Sequence, residues 1–250
     1  MEDPPETPAA PAEPSPAPST DAPSIEVAAP PRQRWRLVLA RAPEAPASGG
    51  RELADAWEIA LEASGLPLFR PVGRARPRAA FGAPLPASLP AERELADIVL
   101  TDQLAIWQVR EAVTAHLPAG WRLLDLHDVW LGAPALAGQV AAAEYRIDVG
   151  EADAQALAAA AETLMQAREL SRERPKGGSF VRYDLRPLLV DVCVADAGPP
   201  VLIRTRTRFD PVLGTGRPEE VVAALGEAAG TSLGIGSMVR ERLILADALD

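Results

Sequence analysis

Arg204, Arg206 and Arg208 occupy alternate positions in the run from Ile203 to Phe209. On an extended strand alternate side chains leave the same face, so the three guanidiniums share one side while Ile203, Thr205 and Thr207 take the other. Such a row repels itself unless carboxylates or phosphates lie opposite. Two chemistries follow: internal ion pairing, with Asp184 and Asp191 on the preceding strand or glutamates of a covering helix as partners, or a platform for a nucleic-acid backbone. Internal pairing is the simpler expectation. Arg74, Arg76 and Arg78 sit at the same spacing further upstream and would extend a basic platform. Arg186 precedes Pro187 and Arg217 precedes Pro218. A proline holds the residue before it extended, which fixes the direction of both arginines. Together they either clamp an anion or pair with carboxylates such as Asp184 and Glu220, the latter being the default.

The other reactive residue types are few. His116 falls near the end of a helical stretch, where an imidazole can face the last carbonyls, and His127 stands beside Asp128. Adjacent strand residues point to opposite faces, so His127 and Asp128 do not make a catalytic pair. Cys193 lies between Val192 and Val194 and reads as a buried, inert thiol. Gly214, Thr215 and Gly216 precede a helix, but no Lys-Ser or Lys-Thr pair follows, which excludes a Walker loop, and Glu219 breaks the dinucleotide-binding glycine pattern. A turn and cap is the plainer reading, with an anion beside Arg217 as the alternative. One cysteine and two histidines rule out a disulfide framework and a zinc or iron-sulfur site built by this chain. No cofactor is expected.

These residues need elements to hold them. Trp35, Leu37 and Leu39 alternate as in a buried strand, and Leu53, Trp57, Ala60 and Leu61 fall at helical spacing before Gly65 and Pro67. Residues 67–90 hold six prolines and four arginines and predict a surface connection with at most a short edge strand. A strand at 95–100, a helix capped by Asp102 with Ile106, Val109, Val113 and Leu117 on its buried face, and a strand at 121–131 complete the first set. The second set reads as a strand at 145–149, an alanine-rich helix at 151–168, long strands at 180–194 and 201–209, a helix from Pro218, and a strand at 237–245. Each set has the order strand, helix, strand, strand, helix, strand. The expected fold is therefore α+β, two tandem ferredoxin-like (βαββαβ) units at 32–135 and 140–250.

Composition places a tail before them. The 250 residues carry 35 acidic and 25 basic groups, 24 of the latter arginine, with Lys176 the single lysine. Residues 1–31 contain ten of the 26 prolines, six acidic residues and no basic one, so the body holds only −4 of the net −10. A stretch with so few large apolar groups cannot offset the entropy of ordering and reads as disordered. It lacks the basic start and apolar run of a secretory signal, and no window has the roughly 20 apolar residues that span a bilayer. The expectation is a cytoplasmic protein with no membrane contact. Base-stacking Phe or Tyr is scarce, with four and two in all, which argues against the usual single-stranded RNA platform of this fold class.

Several segments carry a family likeness: the opening at Trp35 to Leu39, the helix running to Leu66 and Pro67, the loop with Gly73, Pro77 and Phe81 leading to Leu85 and Pro86, then Tyr183-Asp184-Leu185-Arg186-Pro187-Leu188 and Arg217-Pro218-Glu219-Glu220-Val221. Over residues 34–248 the chain resembles the bacterial radical-SAM-linked family, a domain of unknown function. The resemblance implies a partnership with a radical SAM protein. It also implies a Ser-His-Leu-Asp start to the first helix and an Asn-, Pro- and His-rich glycine loop, where this chain has Ser48 to Leu53 without histidine and Gly73-Arg74-Ala75-Arg76-Pro77-Arg78. The chain has no cysteine triad for the radical SAM cluster itself. The expected role is a non-catalytic accessory or binding module with RNA as its ligand. The alternative is an RNA-processing enzyme of the endonuclease kind, with His116 or His127 moving the proton.

Overall fold

The computed structural model describes residues 29–71 and 73–249, so the expected disordered tail lies, but for its last three residues, outside the described residues. The first half runs β1 (Gln33–Arg41), α1 (Gly50–Ala63), β2 (Ala80–Phe81), β3 (Ala91–Leu100), α2 (Ile106–Ala115) and β4 (Trp121–Val129). After a short helix α3 (Leu136–Gln139) come β5 (Val140–Asp148), α4 (Ala154–Gln166), β6 (Ser171–Lys176), β7 (Ser179–Asp184), β8 (Leu189–Asp196), β9 (Leu202–Asp210), β10 (Gly214–Thr215), α5 (Pro218–Ala228) and β11 (Ser237–Leu245). The chain is mixed α and β. No helix among the described residues is long and apolar enough to cross a membrane.

Among the described residues nine strands form one sheet in the order β10-β9-β5-β11-β3-β1-β4, with β2 beside β3 and β8 beside β9; β6 and β7 make a separate ribbon. In the first half β1 lies between β3 and β4, both antiparallel, and β2 adds to β3. In the second half β5 lies between β9 and β11, both antiparallel, and β8 adds to β9. The two halves therefore repeat one strand order. They meet where β11 runs parallel to β3, with Arg240 opposite Ala91.

Alternation along these strands sorts side chains onto two faces. One face packs under the helices, where Leu37, Leu39, Ile98, Tyr145, Ile147 and Ile203 join the helix stripes Leu53-Trp57-Leu61, Val109-Val113, Leu157-Leu164 and Val221-Leu225 in a single core. Trp57 meets Phe81 and Trp121 edge-on at 5.5 and 5.4 Å, a favoured arrangement of aromatic quadrupoles. At the junction of the halves Arg240 donates from Nε and Nη2 to the two oxygens of Glu94 at 2.5 and 2.7 Å, and from Nη1 to the Pro84 carbonyl at 2.9 Å. Both side chains are sealed from water. Burial works to lower the Arg240 pKa, but the Glu94 carboxylate outweighs it and holds the guanidinium above its ordinary value.

Several expectations shift. The predicted strand at 180–194 is broken by a 3-10 turn, Arg186–Leu188, because Pro187 has no N–H for a ladder. Its first part instead pairs with residues 171–176 as the separate ribbon. The α2 cap is Ala105, whose N–H donates to Gln108 Oε1 at 2.9 Å, and not Asp102. Helix α4 starts at Ala154 because Asp153 accepts from the N–H groups of Gln155 and Ala156. Among the described residues of 67–90 the only strand is β2.

Candidate nucleic-acid interface

The other face of the sheet carries the arginines. The register sets Arg204 opposite Arg146 and Arg206 opposite Glu144 across β9 and β5, and Arg242 opposite Glu144 across β5 and β11. Glu241 sits at the bulge of β11 and turns to the same face. Its oxygens accept from Arg146 Nη1 at 2.5 Å and Arg204 Nε at 2.8 Å, while Glu144 accepts from Arg206 Nη2 at 3.2 Å and Arg242 Nε at 2.6 Å. Arg146 also reaches Glu92 at 2.5 Å. Four guanidiniums thus share three carboxylates. Burial works against the Glu144 carboxylate, but its bonds to Arg242 and Arg206 hold its pKa below the usual range. The Glu241 carboxylate in turn raises Arg204.

Internal pairing of Arg204 and Arg206 is therefore present, but through neighbouring strands of the sheet and not through Asp184, Asp191 or a covering helix. Arg208 ends the row exposed, and Arg93 on β3 is exposed on the same face; neither side chain makes an ion pair or hydrogen bond among the described residues. Arg206 Nε is closed to solvent and has no acceptor among the described residues. Beside these lies a groove of about 580 Å³ that crosses from one half to the other, lined by Arg36, Arg93, Arg206, Arg242, His127 and Asp247 with an apolar floor that includes Val38 and Leu95. Arg36 is fixed there by Asp97, which accepts from its Nε at 2.9 Å and is shared with Arg34.

The remaining candidates scatter. Arg76 and Arg78 lie 3.6 and 3.7 Å from Glu62 and Glu58 of α1, exposed pairs worth about 0.2–1 kcal/mol each, and Arg74 is exposed without a partner among the described residues. Arg76 and Arg78 thus lie against α1 and do not extend the sheet-face row. Arg186 donates to the carbonyls of Met165, Ala167 and Leu189 at 3.0, 3.2 and 2.8 Å, so it closes the end of α4 instead of pairing with a carboxylate. Asp184 accepts from the Arg186 backbone N–H. Arg217 is exposed at the head of α5 and makes no ion pair among the described residues. The default carboxylate pairing is therefore absent for both arginines among the described residues, and Arg186, with its donors held by carbonyls, is not free to clamp an anion with Arg217.

His116 Nδ1 contacts the Ala112 carbonyl at 2.9 Å, as a helix-end imidazole should. His127 meets Asp125 at 3.3 Å, not Asp128, because the two share the face that the β4 bulge selects. Cys193 is exposed on the sheet face opposite Arg204, a correction to its buried reading. Burial of the sulfur and the nearby Asp191 carboxylate still push its pKa up, which keeps the thiol protonated. A second cavity of about 930 Å³ lies between residues 78–85 and 131–137, with apolar walls and Arg34 and Asp97 at its base. Their polar atoms are already engaged with one another and with the Ala133 and Pro134 carbonyls.

Sequence reasoning missed Arg93, Arg146, Arg242, Glu144 and Glu241. The signal was the alternation of Arg93, Leu95 and Asp97 against Glu94, Ala96 and Ile98, obscured because Glu94 is a charged residue in a core position.

No curated protein matches the chain. Among solved structures it is similar to one titled "Crystal Structure of a Cbf5-Nop10-Gar1 Complex", at 11% identity over 83% of this chain and 49% of that one, with a TM-score of 0.46. A second, titled "Structure of H/ACA RNP bound to a substrate RNA containing 2'-deoxyuridine", is 14% identical over 83% of this chain and 47% of that one, with a TM-score of 0.42. The chain spans about half the length of each. Residues 34–221, most of the described body, match the model of a family described as an uncharacterized protein conserved in bacteria (DUF2344), and the chain belongs to that family.

Proposed function

We propose that the protein is a non-catalytic RNA-binding module of two ferredoxin-like units, residues 32–135 and 140–250, that serves a radical SAM enzyme in the cytoplasm. The repeated strand order supports the paired units: in each half the first strand is central, flanked by the third and fourth, with the second outside the third. The partner rests on the sequence resemblance. The ligand rests on the sheet face. Among the described residues Arg93 and Arg208 have no ion-pair partner, and Arg206 Nε has no acceptor, beside a groove that runs across both halves. The unmade donor of Arg206 carries the reading, because a phosphate oxygen would supply what Glu144 does not.

No Phe, Tyr or Trp among the described residues lines that groove, so binding takes place mainly through phosphates and tolerates sequence. With four contacts, from Arg93, Arg206, Arg208 and Arg242, affinity for a single strand falls about 50-fold between 50 and 200 mM salt. Fluorescence anisotropy of a labelled oligoribonucleotide over that range tests this, and salt-independent or absent binding overturns it. Co-purification from the native host checks the radical SAM partner.

One observation favours a second reading. His127 lines the same groove with Asp125 against its ring, the placement a general acid or base of an RNA-cleaving enzyme requires. Strand scission that disappears in His127→Ala would establish it.

A further inference from the structure

The ribbon of β6 and β7 and the head of α5 hold a cluster that the sheet-face reading does not use. Arg172 and Arg174 leave the same face of β6, and the register places Tyr183 opposite Arg172. The Arg174 guanidinium lies over the Tyr183 ring, 5.1 Å from its centroid. Its Nη2 also comes within 3.9 Å of the place a Cβ would occupy on Gly214, three residues ahead of Arg217. Arg217, Arg174 and Arg172 all act electrostatically on the Tyr183 phenol, as does Glu220. Cations from a ribbon and a helix therefore converge on one hydroxyl.

Two polar atoms in this cluster are closed to solvent and have no hydrogen-bond partner among the described residues: Arg172 Nη2 and Tyr183 Oη. The Arg172 side chain is 11% exposed, and its Nη1 donates to Glu227 at 2.6 Å. Both orphaned atoms can donate, so the missing group is an acceptor. Burial first, then the Glu220 carboxylate, raise the phenol pKa and keep its proton in place for donation. An acceptor with several oxygens and a negative charge answers both the open donors and the surrounding guanidiniums.

We propose that Arg172, Arg174, Tyr183 and Arg217 form a binding site for a phosphate monoester, separate from the groove on the sheet face. The site neither needs nor implies that groove. Its ligand is either a free small phosphate or the terminal phosphate of a polynucleotide.

Thermal-shift and calorimetric titration of the full chain with inorganic phosphate, against chloride at matched ionic strength, tests the proposal. Phosphate raises the melting temperature where chloride does not. Tyr183→Phe, which keeps the ring under Arg174, and Arg217→Ala, on the surface, each weaken binding about tenfold. A 5′-phosphorylated oligoribonucleotide that binds more tightly than its 5′-hydroxyl counterpart, with the difference abolished by Arg217→Ala, assigns the site to a polymer end. Equal binding of the two oligonucleotides alongside a phosphate response assigns it to a small ester. No phosphate-specific shift, or a shift that both variants leave unchanged, overturns the proposal whatever the sheet-face arginines do.

Discussion

At the scale of single residues the fold depends on where arginine finds its carboxylate. Arg240 and Glu94 face each other in a site closed to water. Removing one partner strands the other, so Arg240→Met or Glu94→Leu alone costs about 3–5 kcal/mol in urea unfolding, while the two together cost much less. Glu144 gives a pH signature. Its carboxyl is held below the usual range in the folded chain, so the stability it contributes is present above the unfolded value near 4.5 and is lost as pH falls through the folded value. Glu144→Gln flattens the acid limb of stability against pH, and an unchanged limb would place the dependence elsewhere. The alternation of Arg204, Arg206 and Arg208 was legible because period two is written in adjacent residues. Their partners were not, since Glu144 and Glu241 become neighbours only through the order of strands in the sheet.

At the scale of elements, long periodic segments read well: β11 lies where alternation places it, and α1 and α5 start within a residue or two of their expected positions. The ribbon of β6 and β7 did not, because Ser-Arg-Glu-Arg-Pro-Lys offers no apolar period and gains its order from its partner strand. The glycines before α5 show a related limit. Gly216 reads as part of a turn and cap, with an anion loop as the alternative, yet a Cβ there would lie 2.7 Å from the Leu188 carbonyl and 2.9 Å from Thr207, so close packing explains it. Gly216→Ala is expected to lower stability by about 1–3 kcal/mol in denaturant unfolding through overpacking. A neutral result would mean that β9 and the turn after Pro187 can part at little cost.

At the scale of the whole molecule, two halves with one strand order are joined by β11 against β3 and by the Arg240 to Glu94 pair. All five tryptophans lie in the first half, at 35, 57, 107, 121 and 130, so indole fluorescence follows that half while far-ultraviolet dichroism follows both. Coincident unfolding curves are expected for the wild type. Arg240→Met should separate them, and curves that stay superimposed would show that other contacts couple the halves.

The joined sheet face is the account's central element, and a charge-reversal comparison tests it most directly. Anisotropy titrations of RNA from 50 to 200 mM salt would compare the wild type with Arg93→Glu/Arg208→Glu on the open face and Arg51→Glu/Arg168→Glu away from it. All four residues are exposed, and both doubles change the net charge equally. The open-face double is expected to lose about 100-fold in affinity at low salt and to flatten the salt slope by about 1.4, while the control changes by less than a few-fold. Equal losses from the two doubles would reduce the interaction to overall charge and contradict an interface on the sheet.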